Sequence, residues 1–197
     1  MWISWKDKDT DLVPPIALED KIDIFYQQTL GWQLHVADLI ANGGDPLGSD
    51  DKVGSVPHSG FAVLHICLSY FETIGKYRAL ASGSRASFKA GAEDVLPELR
   101  SVSSKVRGEL LDVLYRDARC GLYHNSRTCR GVGLGQPPDG AAMVYDQKAQ
   151  KLVISPERLP GVLKRHLERY RKELLDPTNS DSRRSFEHRF NEDFGTK

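Results

Sequence analysis

The sequence has few cysteines and no long apolar run. Its 197 residues include three cysteines, Cys67, Cys120 and Cys129, and an odd, low count favours a reducing compartment over a disulfide framework. No stretch approaches the roughly 20 apolar residues that a transmembrane helix needs. The first 15 residues are acidic and lack the apolar core of a signal peptide. We therefore expect a cytoplasmic protein with no membrane association.

The chain also lacks an excess of charge of one sign. Lys and Arg together number 27, as do Asp and Glu, so no overall basic field marks the protein as a nucleic-acid binder. The first 60 residues nevertheless hold only four basic but ten acidic side chains. The rest of the chain is mildly positive, and this asymmetry is as typical of an ordinary solvated surface as of a functional one.

Apolar residues spaced three and four apart predict an all-α fold. The periods indicate a helical bundle of about four main helices, at residues 18–41, 61–80, 98–124 and 156–175. A small β-hairpin insertion is predicted at 142–154, where two short apolar runs flank a polar turn. Because an isolated hairpin is marginally stable, it must pack on the helices.

The segments between and after these helices have weaker signals. The composition of residues 42–60 indicates a loop, and residues 81–97 combine turn residues with a short amphipathic piece around Phe88. Residues 1–177 are expected to form a single helical domain, followed by a polar C-terminal tail, 178–197. The tail is either loose or a docking helix, since three of its phenylalanines recur every four residues: Phe186, Phe190 and Phe194.

The end of the third predicted helix holds the most reactive pair of side chains, Arg119 and His124. An arginine stays cationic and presents a planar fork that fits phosphate oxygens. A histidine exchanges protons near neutral pH, because its unperturbed pKa is about 6.5. On the second predicted helix, Glu72 lies on a polar stripe. It either pairs with Lys76 on a solvated surface or faces Arg119 and orients it.

Arg119 and His124 do not share a face of a regular helix. Five residues at about 100° each place them about 140° apart. Either the helix loosens at Gly121, so that His124 swings round at its end, or two copies of the chain bring their pairs together across a two-fold axis. Gly108 and Gly121 each weaken the helix by about 1 kcal/mol relative to alanine. A glycine also permits the close approach of a neighbouring backbone.

This arrangement resembles the HEPN superfamily, whose short motif is an arginine, four to six residues and a histidine at the end of a helix. The likeness covers roughly residues 18–176 in order. Tyr70–Arg78, with the acidic Glu72, is similar to the helix that usually precedes the motif. Lys151–Leu159 is similar to the strand and helix start that usually follow it. The resemblance implies a HEPN-like helical domain.

The resemblance implies a metal-independent ribonuclease that uses no cofactor. In such an enzyme His124 is the general base, and Arg119 stabilises the charge that builds on the phosphate. Tyr123 or Tyr115 stacks a base or holds a phosphate oxygen. The resemblance assigns supporting roles to the residues around the pair: Glu72, Cys120, Tyr123, Asn125 and Arg127.

The same likeness implies a homodimer that cleaves RNA as a toxin or defence effector, with an antitoxin or another protein as its partner. One departure weakens the catalytic hypothesis, because Cys120 occupies a position where catalytic members often carry Asn, Asp or His. The alternative is a catalytically inactive, HEPN-like dimeric module with a binding or regulatory role. Arg119 and His124 would then be structural cations at the negative end of a helix dipole.

Two further hypotheses come from the cysteines near the motif. Cys120, His124 and Cys129 are zinc-ligand types, with Cys67 or His65 as a fourth ligand, although the paired spacing of common zinc sites is missing. Cys120 and His124 are also one helical turn apart and so could form a nucleophilic dyad.

Overall fold

The apolar periods of the sequence correspond to six helices in the computed structural model, which describes residues 15–47, 50–79 and 82–195. Residues 1–14 of the predicted domain and residues 196–197 of the predicted tail lie outside the described residues. The helices consist of eight α-helical segments: α1 Leu18–Thr29, α2 His35–Asn42, α3 Gly60–Ala79, α4 Ser84–Val95, α5 Ser104–Val113, α6 Cys120–Asn125, α7 Leu159–Leu175 and α8 Ser180–Phe194.

Two π-helical turns explain why eight segments make six helices. Leu30–Leu34 joins α1 to α2, and Leu114–Arg119 joins α5 to α6. The predominantly helical fold is confirmed, but the prediction of four main helices is wrong because α4 and α8 are further full helices. None of the described helices is both long enough and apolar enough to cross a membrane.

The predicted helix at 98–124 begins later than expected. Pro97–Ser101 forms a 3₁₀ turn, and α5 starts at Ser104. The hydroxyl of Ser103 accepts a hydrogen bond from the backbone N–H of Val106 at 3.4 Å, which caps the first turn. A serine cap of this kind satisfies one of the free N–H groups at a helix start and therefore fixes where the helix begins.

Helix α4 occupies the region predicted to be mixed, and it packs directly on α3. A Cβ atom on Gly75 would lie 1.8 Å from the carbonyl oxygen of Ser87, and one on Gly91 would lie 1.8 Å from that of Phe71. The two helices therefore meet backbone to backbone, which only glycine allows. Gly91, which looks like a turn residue in the sequence, serves a helix contact instead.

A small mixed sheet follows the α5–α6 helix. Its strands are β1 Val132–Leu134, β2 Met143–Asp146 and β3 Lys151–Ile154. Strands β2 and β3 pair antiparallel, so the hairpin predicted at 142–154 is confirmed. Strand β1, which lies outside the predicted hairpin, adds to β3 in parallel and gives the order β1-β3-β2.

The C-terminal segment is a helix that belongs to the core. Phe186 and Phe190 of α8 are fully buried. The ring of Phe186 meets the ring of Phe25 edge to face, with centroids 5.5 Å apart, and it also contacts Tyr77. The four-residue spacing of the phenylalanines therefore marks a docking helix, and the description of 178–197 as a polar tail is corrected for Ser180–Phe194.

A buried polar network joins α3, α4 and α7. His166 is 1% exposed, and its Nε2 donates to the carboxylate of Asp94 at 2.9 Å. Its Nδ1 lies within hydrogen-bond distance of the Tyr70 hydroxyl, at 2.8 Å. Arg78 forms ion pairs with Asp94 at 2.6 Å and with Glu173 at 2.5 Å. This network gives Asp94, Glu173 and Arg78 partners of opposite charge at the junction of the three helices.

Candidate functional site

The predicted motif begins on the π turn of the α5–α6 helix. The backbone N–H of Cys120 donates to the carbonyl oxygen of Tyr115, five residues earlier. Turns of this type occur often at functional sites. Beyond it, α6 is a regular α-helix from Cys120 to Asn125 and ends at Ser126, whose φ is 54°. The helix does not loosen at Gly121, so that expected route from His124 to Arg119 is wrong.

Gly121 instead lets the following loop lie against the helix. A Cβ atom there would be 2.8 Å from the carbonyl oxygen of Arg127 and 3.2 Å from the backbone nitrogen of Cys129. The N–H of Cys129 donates to the carbonyl oxygen of Asp117 at 2.7 Å, which fastens the loop in this position. The expected close approach at Gly121 is confirmed, whereas a Cβ on Gly108 would meet no atom within 4 Å.

Glu72 connects α3 to the arginine of the motif. One carboxylate oxygen, Oε2, accepts from Nη2 of Arg119 at 2.9 Å and from the hydroxyl of Ser84 at 2.9 Å. The other, Oε1, lies 3.0 Å from Nζ of Lys76. Glu72 thus contacts both Lys76 and Arg119, the two partners that the sequence offered as alternatives. The Glu72 and Arg119 side chains are only 15% and 16% exposed.

This pairing acts on the pKa values of both side chains. Burial alone would raise the pKa of Glu72, but the hydrogen bonds from Lys76, Ser84 and Arg119 outweigh it and lower the pKa. Burial would lower the pKa of Arg119, but the hydrogen bond to Glu72 and the charge of Glu72 together outweigh it and raise the pKa. Both side chains therefore stay charged at neutral pH, and the guanidinium is held in one orientation.

The ring of Tyr123 covers the guanidinium. Cζ of Arg119 lies 4.0 Å from the Tyr123 ring centroid and 5.9 Å from that of Tyr115, both within cation–π range. Tyr123 is 49% exposed. It also stacks on His65 of α3, with centroids 4.5 Å apart and the rings inclined by 22°. We call Arg119, Tyr123 and His65 the Tyr123 cluster.

Sequence reasoning did not assign His65 to this cluster and considered it only as a fourth zinc ligand. The signal was nevertheless present. His65 lies on the same polar stripe of the second predicted helix as Glu72, and that stripe faces the end of the α5–α6 helix. Residues seven apart lie on one side of a helix, so a contact of Glu72 with the motif indicates one for His65.

His124, Asn125 and Arg127 lie exposed on the surface at the end of α6, and Cys120 is partly buried. Within the described residues, no hydrogen bond or ion pair links His124 to another side chain. No hydrogen bond therefore joins Arg119 to His124 within one copy of the chain. The structure brings together Glu72, Arg119 and Tyr123. His124, the residue after Tyr123, lies exposed on the surface.

An open groove lies beside the cluster. It has a volume of about 260 Å³ and is lined by Arg85, Asp112, Tyr115, Arg116 and Cys120. Arg85 and Arg116 are exposed at its rim and pair with carboxylates, Arg85 with Asp112 at 2.5 Å. Exposed cations beside an aromatic ring are a common setting for single-stranded nucleic acid.

The metal-site hypothesis finds no support in the geometry. Across the described part of the chain, no three His, Cys, Asp or Glu side chains lie close enough together to hold a metal ion. Cys67 is fully buried in the core, and burial raises the pKa of its thiol. Cys120, His124, Cys129 and His65 thus do not assemble into the zinc site that their residue types allowed.

Comparison with models of known protein families finds no match. A search of curated proteins and a search of solved structures likewise find none. Any functional conclusion therefore depends on the geometry of the Tyr123 cluster and the residues beside it.

Proposed function

We propose that this protein is a metal-independent ribonuclease of the HEPN type that acts as a homodimer in the cytoplasm. His124 is the general base, and Arg119 stabilises the charge on the phosphate. The observation that carries the proposal is the ion pair between Glu72 and Arg119, whose atoms lie 2.9 Å apart. It holds the guanidinium against the half-exposed ring of Tyr123, and the exposed His124 is the next residue in the chain.

Each group in this arrangement suits one step of RNA cleavage. His124 removes the proton from a ribose 2′-OH, and the resulting oxygen attacks the adjacent phosphorus. Negative charge then builds on the non-bridging oxygens, where the oriented Arg119 stabilises it. Arg119 and His65 lie against the faces of the Tyr123 ring, so the half-exposed Tyr123 holds a phosphate oxygen through its hydroxyl. The products are a 2′,3′-cyclic phosphate and a 5′-OH.

A second copy of the chain completes the site in this proposal. Residues five apart on a regular helix point about 140° apart. Arg119 is the last residue of the π turn, and His124 lies in the regular α6. Two copies related by a two-fold axis let Arg119 of one meet His124 of the other on a single phosphate. The resemblance to HEPN proteins further suggests a toxin or defence effector restrained by an antitoxin protein.

A second candidate function is a binding or regulatory module without catalysis. It is favoured by the state of Arg119, which is 16% exposed and already in an ion pair with Glu72. An arginine so engaged has less of its fork available for phosphate. Cys120 beside it is also a weak hydrogen-bond donor. In this function the exposed Tyr123 and His124 contact a partner and perform no chemistry.

An RNA cleavage assay with end-group analysis distinguishes the two functions. His124→Ala should lower the cleavage rate by about 10²–10⁴-fold, and Arg119→Ala by about 10²–10³-fold. Cys120→Asn should hold or raise the rate, and EDTA should leave it unchanged. His188→Ala, on the exposed face of α8, is the matched control and should match the wild type. If the wild type cleaves no RNA, the ribonuclease proposal fails and the binding or regulatory module remains.

A further inference from the structure

His65 is an unassigned histidine in direct contact with the proposed site. It is exposed on α3, and its imidazole stacks on the Tyr123 ring at 4.5 Å. Tyr123 contacts Arg119 through the same ring and immediately precedes His124 in the chain. Within the described residues, no hydrogen bond or ion pair engages the His65 ring nitrogens. His65 is exposed beside the Tyr123 ring.

The proposed reaction requires a second proton transfer that has no assigned group. Once the 2′-oxygen attacks phosphorus, the bond from phosphorus to the 5′-oxygen must break. A bare alkoxide is a poor leaving group, so an acid that protonates it accelerates the step by about 10²–10⁴-fold. His124 cannot supply this proton at the same moment, because it is accepting the one from the 2′-OH.

The other cations of the site are poor acids for this step. Arg119 and Arg116 do not lose a proton in proteins. Lys76 is held by Glu72 at 3.0 Å, and an amine has an unperturbed pKa of about 10.4. An imidazole, with an unperturbed pKa of about 6.5, is the side chain that gives up a proton most readily near neutral pH. His65 is the imidazole of the Tyr123 cluster.

We infer that His65 is the general acid that protonates the 5′-oxygen of the leaving RNA strand; this inference rests on the proposed ribonuclease function. His124 takes the 2′-OH proton, the bond between the 2′-oxygen and phosphorus forms, and the bond to the 5′-oxygen breaks with its electron pair. The 5′-oxygen receives the proton of the His65 imidazolium. Both histidines then exchange protons with water and return to their starting states.

The surroundings of His65 suit this role. The titratable and charged groups that face it are Tyr123 and, behind the shared ring, Arg119, while Glu72 lies two turns further along α3. The helix that carries His65 is fixed against α4 by the backbone contacts at Gly75 and Gly91. A proton donor on so rigid an element keeps its place relative to the phosphate.

A substrate whose leaving group needs no proton tests the role directly. In RNA with sulfur in place of the bridging 5′-oxygen, the thiolate departs without an acid. His65→Phe keeps an aromatic ring on Tyr123 but carries no proton. It should lower cleavage of ordinary RNA by about 10²–10⁴-fold and leave cleavage of the 5′-thio RNA at the wild-type rate. His124→Ala should be slow on both substrates, because the base is needed in each case.

The pH profile gives a second readout. The wild type should show a bell-shaped rate, and His65→Phe should lose the falling limb at high pH because that limb reports the acid. If His65→Phe is slow on both RNAs alike, or as fast as the wild type on both, the inference fails while the ribonuclease stands. If the wild type cleaves neither RNA, the proposed function itself fails.

Discussion

Two clusters in this protein combine a histidine with a tyrosine, and they differ in what surrounds the imidazole. His166 is 1% exposed, and both of its ring nitrogens are occupied by Tyr70 and Asp94. His65 stacks on the 49% exposed Tyr123 at the surface, without such partners among the described residues. The ring nitrogens of His166 are both occupied, so this histidine has a structural role. The ring nitrogens of His65 have no such partners in the described part of the chain and are free to exchange a proton.

The charges of the two clusters differ in the same way. In the buried network, Asp94 meets Arg78 as well as His166, so each charge has several partners. At the surface, Arg119 is anchored on one side by Glu72, while its other side faces the ring of Tyr123. A fixed but incompletely satisfied cation beside exposed rings is what a phosphate site needs.

The largest expected effect on stability comes from replacing the buried His166, compared with the exposed His124 of the proposed site. His166→Ala leaves the Tyr70 hydroxyl without its partner, removes one of the partners of Asp94 and opens a cavity, so it should lower the free energy of unfolding by about 2–5 kcal/mol. His124→Ala, at the exposed end of α6, should change it by less than about 0.5 kcal/mol. Urea unfolding of both variants measures the difference. Equal losses of unfolding free energy would contradict the structural role given to His166.

The helix contact beneath the site should respond next most strongly. Gly91→Ala places a Cβ against the carbonyl oxygen of Phe71 and should destabilise the fold by about 1–3 kcal/mol or more through overpacking. Gly108→Ala is the matched control, since its Cβ meets nothing within 4 Å, and it should stabilise by up to about 1 kcal/mol. Thermal unfolding of the pair compares them, and a harmless Gly91→Ala would contradict the backbone contact.

Acid should weaken the buried network. Burial opposes the shift, but the hydrogen bond from His166 and the charge of Arg78 lower the pKa of Asp94 in the folded state. A lowered folded pKa means that Asp94 contributes stability above its unfolded pKa of about 3.9 and loses it as the pH falls through lower values. Asp94→Asn should therefore flatten the decline of unfolding free energy between pH 5 and 3, in urea titrations.

The control for this titration is Asp181→Asn on α8, whose carboxylate is almost fully exposed. Its stability curve should run parallel to that of the wild type over the same pH range, because an almost fully exposed side chain contributes little to stability. An Asp94→Asn curve that also runs parallel would contradict the role given to that charge.

Local periodicity predicted the helices whose apolar faces are long. The period from Leu18 continues through the π turn to Asn42, and α3 and α7 begin and end near their predicted bounds. Helix α4 was not predicted because Gly91 looks like a turn signal, and the carbonyl group that it contacts belongs to another helix. The π turn at Leu114–Arg119 left no mark on the apolar spacing.

The site was predictable only where one helix face carried the information. The polar stripe of the second predicted helix indicated the contact of Glu72 with Arg119. The same stripe carries His65, but the stack of its ring on Tyr123 also depends on how far α6 extends past the π turn, which the sequence did not show. For the same reason the sequence left open whether Gly121 loosens the helix, and the loop packed on it shows that it does not.

The central claim is that Arg119 and His124 act together only across two copies of the chain, and subunit mixing tests it most directly. Arg119→Ala and His124→Ala should each be nearly inactive alone. When the two are unfolded together and refolded, mixed dimers contain one site with both wild-type residues, so cleavage should return to a clear fraction of the wild-type rate. Mixed dimers that form, as mass spectrometry would show, but remain inactive would contradict the shared site.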